Sequence, residues 1–187
     1  LGNSRADLQS LEIIAQQANS RAYLHSGGGI GPQVPVAGAT TLKTMARNST
    51  AMQVDAAASA TSTAVIAMGS SDRPQPTAGL YQIRLGEQAN VLAEGQDSIG
   101  VHVRNSGTAD GRLQLDIVDG ARVVAAAGGT GLKLEHNADG QFQLSNASTV
   151  QAGRSAVTAY SQQARMLLGN TGTLAVNGGD PASAAVQ

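Results

Sequence analysis

The sequence predicts an α+β fold: one long N-terminal α-helix, then a mainly β body built as an antiparallel sheet or β-sandwich. Three observations predict it. Residues 80–176 alternate apolar and polar side chains in short runs, the period of a half-buried strand. Gly, Asn and Asp separate those runs, as turns require. Residues 4–26 instead space Leu8, Leu11, Ala15, Ala18 and Ala22 by three and four, the period of a helix face.

The helix is the first element in order. Ser4 is placed to cap its N-terminus, with Asp7 three residues on. Gly27-Gly28-Gly29 ends it and Pro32 reinforces the stop, so residues 1–31 form the helix and a Gly-rich turn. A helix of about 22 residues would be about 33 Å long. The glycines do not read as a phosphate cradle, because that needs a strand before them and a helix after.

Residues 32–79 form a connector. Ala56-Ala57-Ala58 favours helix, whereas the flanking Thr, Val65 and Ile66 favour strand. The reading is two short strands, 51–57 and 62–68, with a second helix as the alternative. Residues 70–76, Ser-Ser-Asp-Arg-Pro-Gln-Pro, mark a boundary.

The antiparallel β domain is placed at 80–178. Tyr81, Ile83 and Leu85 alternate with Gln82 and Arg84, and Ile99, Val101 and Val103 with Gly100, His102 and Arg104. Leu113, Leu115 and Ile117, then Leu132 and Leu134, then Phe142 and Leu144 continue the pattern. Asp119-Gly120 reads as a two-residue hairpin turn. Residues 156–168 read as one long strand or a short helix, and residues 179–187 as a disordered tail.

Composition narrows the function. Aromatics are 2% of the chain and charged residues 13%, against about 25% in ordinary domains. The net charge is −1, without a basic face or aromatic platforms, so no nucleic-acid partner is expected. No apolar run reaches 18 residues, so no membrane span is expected in this chain. The absence of Cys excludes disulfides, thiolate metal sites and thiol catalysis. The triplets starting at Asn48 and Asn146 fit a glycosylation pattern, but chance accounts for both in a chain this rich in Asn, Ser and Thr.

Chemistry is sparse. His25, His102 and His136 share no metal-ligand spacing, and each reads as a surface histidine. Asp110, Asp119 and Asp139 each precede Gly, which is turn chemistry. No nucleophile elbow and no calcium loop occur. No catalytic, cofactor-binding or metal-binding residue is assigned, no cofactor is expected, and the chain reads as a non-enzyme.

Two resemblances follow from these residues. Residues 101–117, VHVRNSGTADGRLQLDI, look like a strand–loop–strand of Ig-like extracellular modules. The order of helix 4–26, Gly-rich connector 27–32 and strands after Leu80 resembles the soluble part of a type IV pilin or pseudopilin. That resemblance implies a structural subunit of a surface filament, with copies of itself as partners. It lacks that family's apolar anchor and cysteine pair.

The expectation is a non-enzymatic, self-assembling extracellular or cell-surface subunit, pilus- or fimbria-like. The alternatives are a virion structural protein, of a tail or capsid decoration, and a monomeric secreted β-sandwich binding domain. A donor-strand pilin fits less well, because residues 1–17 follow helical rather than strand spacing.

Overall fold

In the computed structural model the chain forms a β-solenoid of three parallel sheets, six strands each. The structure describes residues 8–28, 33–108, 110–137, 139–162, 165–178 and 184–187. Taking one strand from each sheet in turn gives six rungs of three strands. The first is β1 (Leu11–Ala15), β2 (Arg21–Gly28) and β3 (Gln33–Pro35). The second is β4 (Thr40–Thr44), β5 (Thr50–Ala57) and β6 (Val65–Met68). The third is β7 (Leu80–Leu85), β8 (Ala89–Ala93) and β9 (Ile99–Asn105). The fourth is β10 (Arg112–Ile117), β11 (Arg122–Ala125) and β12 (Thr130–His136). The fifth is β13 (Gln141–Asn146), β14 (Thr149–Ala152) and β15 (Ser155–Ser161). The sixth is β16 (Arg165–Asn170), β17 (Thr173–Val176) and β18 (Ala184–Val186).

We call the sheet from β1 to β17 the first face, that from β2 to β18 the second, and that from β3 to β16 the third. Every ladder between these strands is parallel. Alternation by two therefore has a different meaning here from a hairpin. One side of each strand faces the shared core and the other meets solvent. The inward column of the first face runs Ile13, Leu42, Val91, Val123, Val150, Leu174. That of the second runs Tyr23, Met52, Val101, Leu132, Val157, Val186, and that of the third Val34, Ile66, Ile83, Leu115, Leu144, Leu168. Aliphatic side chains of similar shape stack at about 4.8 Å per rung and exclude water between them.

The expected fold is corrected on both counts. No helix occurs among the described residues, and the β body is not an antiparallel sheet or a sandwich. Residues 11–15 and 21–28, assigned to the helix and the Gly-rich turn after it, are β1 and β2; residues 1–7 and 29–32 lie outside the described residues. The helical spacing was carried by Ala15, Ala18 and Ala22, which favour helix only weakly against a sheet partner. The ladder from Leu11–Thr40 to Ala15–Thr44, and that of β2 on β5, decide the outcome. The same segment alternates Leu11, Ile13 and Ala15 inward with Glu12 and Ile14 outward. The second helix weighed within 42–68 is absent, and β5 and β6 lie there. Within 156–168, residues 156–161 lie in β15 and 165–168 in β16, with 163–164 outside the described residues. The tail expected to be disordered contains β18, with 179–183 outside the described residues.

The turn at Asp119-Gly120 has the expected local chemistry but another use. Gly120 has φ +90°, and Ala121 N–H donates to the Val118 carbonyl at 3.1 Å. The turn bends the chain around a corner, from β10 on the third face to β11 on the first. The strand paired with β10 is reached only by completing the circuit, at β13.

One connection breaks the circuit. β6 and β7 are consecutive in sequence and lie side by side on the third face. Residues 69–79 carry the chain out and back to the start of the same sheet. This excursion is tied down by Arg84, whose Nη2 lies 3.1 Å from Asp72 Oδ2, and by Ser71 Oγ donating to Glu87 at 2.6 Å. Before it each rung begins on the first face; after it each begins on the third.

Candidate functional site

Among the described residues, the densest group of ionisable side chains sits on the outward side of the second face. Two columns carry it. Gln53, His102 and Lys133 stack in one, and Asp55, Arg104 and Glu135 in the next. Strand periodicity puts residues two apart on the same side, so β9 contributes both His102 and Arg104 and β12 both Lys133 and Glu135.

Glu135 is the hub. Its Oε2 accepts Arg104 Nε at 2.8 Å and its Oε1 lies 2.8 Å from Lys133 Nζ. Partial burial works against its charged form. The hydrogen bonds from Lys133 and Arg104, with the His102 and Lys133 charges, outweigh it and hold the carboxyl at about 2. His102 Nε2 lies 3.4 Å from Glu135 Oε2, but the approach is poorly directed and leaves Nε2 without a hydrogen-bond partner. Burial pushes His102 below its ordinary value, with Glu135 opposing and Lys133 assisting. The network continues toward the first rung: Gln53 Nε2 donates to both Asp55 oxygens at 3.0 and 2.9 Å, and Arg21 Nε donates to Gln53 Oε1.

This arrangement ties successive rungs together along the outside of the sheet. A general acid needs a carboxyl raised toward neutrality, and Glu135 is held in the opposite direction. Asp55 and Glu135 lie two rungs apart, about 10 Å, with Arg104 between them. The cluster lies on an outward sheet face, and none of its residues lines the 510 Å³ groove described below.

The three histidines are not brought together, and none is the freely exposed surface residue expected. His102 is the outward one, yet only 6% exposed, because its column neighbours cover it. His25 lies in β2, its ring centroid 6.2 Å from that of Tyr81. His136 is fully buried at the corner between the second and third faces. There Asn105 Nδ2 meets its Nδ1 at 3.3 Å, its Nε2 faces the Gly140 carbonyl at 3.0 Å, and Phe142 packs edge-on. No group of three His, Asp or Glu positioned for a metal occurs among the described residues.

The two Asn triplets are structural. Asn48 holds φ +55° at the corner between the first and second faces. Asn146 is buried at the end of β13, where its Nδ2 donates to Asn170 Oδ1 at 2.6 Å. Asp110 and Asp139 sit in corner loops, as does Asp119.

A second feature is a groove of about 510 Å³ at the corner of the first and second faces, over rungs four to six. Its floor is Ala125, Ala126, Ala127, Gly128, Ala152 and Gly153. Arg154, exposed, is the charged side chain along it. No helix of the described residues is long and apolar enough to cross a membrane, which says nothing of strands.

Comparisons with protein-family models, with curated proteins and with solved structures return no match.

Proposed function

We propose that this chain is a non-enzymatic structural element, a stiff β-solenoid rod that assembles with copies of itself in an extracellular or cell-surface fibre. The observation that carries this reading is the stack itself: three sheets continue through six rungs with aliphatic columns inside. Such a molecule is a quasi-one-dimensional object whose stability comes from contacts between neighbouring repeats. Its most polar cluster supports this role by tying successive rungs together along the outside, with its carboxylate locked in the ionised form. The low charge of the chain suits close packing between copies.

The helix-first order that suggested a pilin is gone, so the proposal rests on the solenoid alone. The test is electron microscopy and sedimentation of the purified chain at rising concentration. Elongated particles that grow in length support the reading, whereas compact monomers at every concentration refute it. A second reading, a secreted binding module, has the corner groove beside Arg154 in its favour. Saturable uptake of a soluble ligand, lost on Arg154→Ala, would favour that reading instead.

A further inference from the structure

The outward side of the first face carries two columns over the first four rungs. One runs Glu12, Thr41, Asn90 and Arg122, and the other Ile14, Lys43, Leu92 and Val124. Both orders are set by the ladders within the stack and by alternation along each strand.

The first column holds two opposite charges that the molecule does not pair. Glu12 and Arg122 are exposed, and neither makes an ion pair or a side-chain hydrogen bond among the described residues. They stand three rungs apart, about 14 Å, beyond the reach of a direct contact. Lys43 differs. Its Nζ lies 2.8 Å from Glu94 Oε1, so its charge is met within the molecule and its methylene stem is what it offers a partner. Ile14 is 45% exposed, and Leu92 and Val124 are half-buried, so the second column is largely apolar.

We infer that this face packs against the same face of a second copy, the two rods lying antiparallel side by side. The two-fold axis runs along the strands, between the second and third rungs. Such an axis keeps each column opposite itself and exchanges rung one with rung four and rung two with rung three. Glu12 then meets the partner's Arg122, and Arg122 the partner's Glu12. Ile14 meets Val124, Thr41 meets Asn90, and the Lys43 stem covers Leu92. A slip of one rung either way separates the charges, and parallel rods set Glu12 against the apolar column. Charge complementarity therefore selects a second copy in one register. The contact is isologous, the same patch on both molecules, and closes as a pair. Its footprint is about 17 Å by 19 Å, small for a protein interface, so one pairing alone is weak. Along a fibre the contact recurs with each copy, and the weak pairings reinforce one another. This inference rests on the self-assembly proposed above and names a surface for it.

The test is sedimentation velocity of the 187-residue chain at rising concentration, where the wild type should associate. Glu12→Arg sets like charges against Arg122, and Arg122→Glu sets them against Glu12. Each variant alone should associate about tenfold more weakly, or worse. Both substitutions fall on exposed side chains, and circular dichroism checks the fold. An equal mixture of the two variants restores both pairs of opposite charge, so it should recover association close to the wild-type level. Association that survives either reversal, or folded variants that the mixture does not rescue, overturns this pairing while leaving self-assembly intact. A wild-type chain that stays monomeric throughout overturns both.

Discussion

The corner between the first and second faces and the corner between the second and third turn the same chain around the same core by different means. The first uses the backbone. Asn19, Asn48, Asp97 and Gly128 stand above one another with φ of 59°, 55°, 56° and 70°. Serines follow the first three: Ser49 N–H donates to Ser98 Oγ at 3.1 Å, and Ser98 Oγ donates to the Ala46 carbonyl at 3.2 Å. The stacking is so close that a Cβ on Gly95 would strike the Ala46 carbonyl oxygen. The second corner uses buried side chains. Asn105 Oδ1 accepts the N–H groups of Ala58 and Gly107 at 3.2 and 3.1 Å, while its amide meets His136. A uniform backbone conformation repeats cheaply, and short corners result. Loops of different length need a buried polar side chain to satisfy what the irregular backbone leaves open.

The comparison breaks most visibly at Asn105. Asn105→Leu removes the acceptor of one buried and one half-buried N–H group, and urea unfolding should register a loss of about 2–4 kcal/mol. A loss below about 1 kcal/mol would mean that backbone contacts hold this corner too. Between the corners lies the brace of the second face. Glu135→Gln should cost about 1–2 kcal/mol at neutral pH, discounted for its partial exposure to solvent.

Acid acts on this brace and on His25 of β2 with a defined sign. His102 and His25 are pushed below 6.5 by burial, so the unfolded chain takes up their protons first and stability begins to fall as the pH drops through 6.5. Glu135 is held at about 2 against an ordinary 4.5, so its contribution is complete above 4.5 and disappears between there and 2. Thermal melts across this range should show both stages, with the lower one shrunken in Glu135→Gln.

The backbone corner should respond least. Ser98→Ala loses two hydrogen bonds and should cost about 1 kcal/mol in the same denaturation assay. Asn48→Gly keeps the left-handed conformation available and should change stability by no more than about 0.5 kcal/mol. If Ser98→Ala proved costlier than Asn105→Leu, the ranking of the two corners would be reversed.

Much of the strand material was legible. Tyr81, Ile83 and Leu85, or Leu113, Leu115 and Ile117, announce strands by their alternation, and the structure buries all six. Alternation is silent about partners. A period of two fits a strand paired with the next run or with one a whole circuit away, and Asp119-Gly120 fits a hairpin or a corner equally well. The missing signal was a repeat. Asn19-Ser20, Asn48-Ser49 and Asp97-Ser98 recur at separations of 29 and 49 residues. Those are the register offsets of the ladders Leu11–Thr40 and Thr40–Ala89. The uneven rungs hid it, because the excursion at 69–79 lengthens one interval. The polar brace was not legible for a related reason: Asp55, Arg104 and Glu135 are far apart in sequence and meet only through the circuit.

The two-strand contact made by that excursion has a bearing on how the chain finds its shape. Gln82 lies across from Val65, only 17 residues on, whereas the other ladders span 24 residues or more. Without hairpins, each encounter between strands must close a sizeable loop of flexible chain, and the smallest loop loses the least entropy. Collapse therefore begins between β6 and β7 and spreads toward both termini. Pulse-labelled amide exchange during refolding should find Ile66 and Ile83 protected ahead of Leu42 and Val150; simultaneous protection of all four would reject that order.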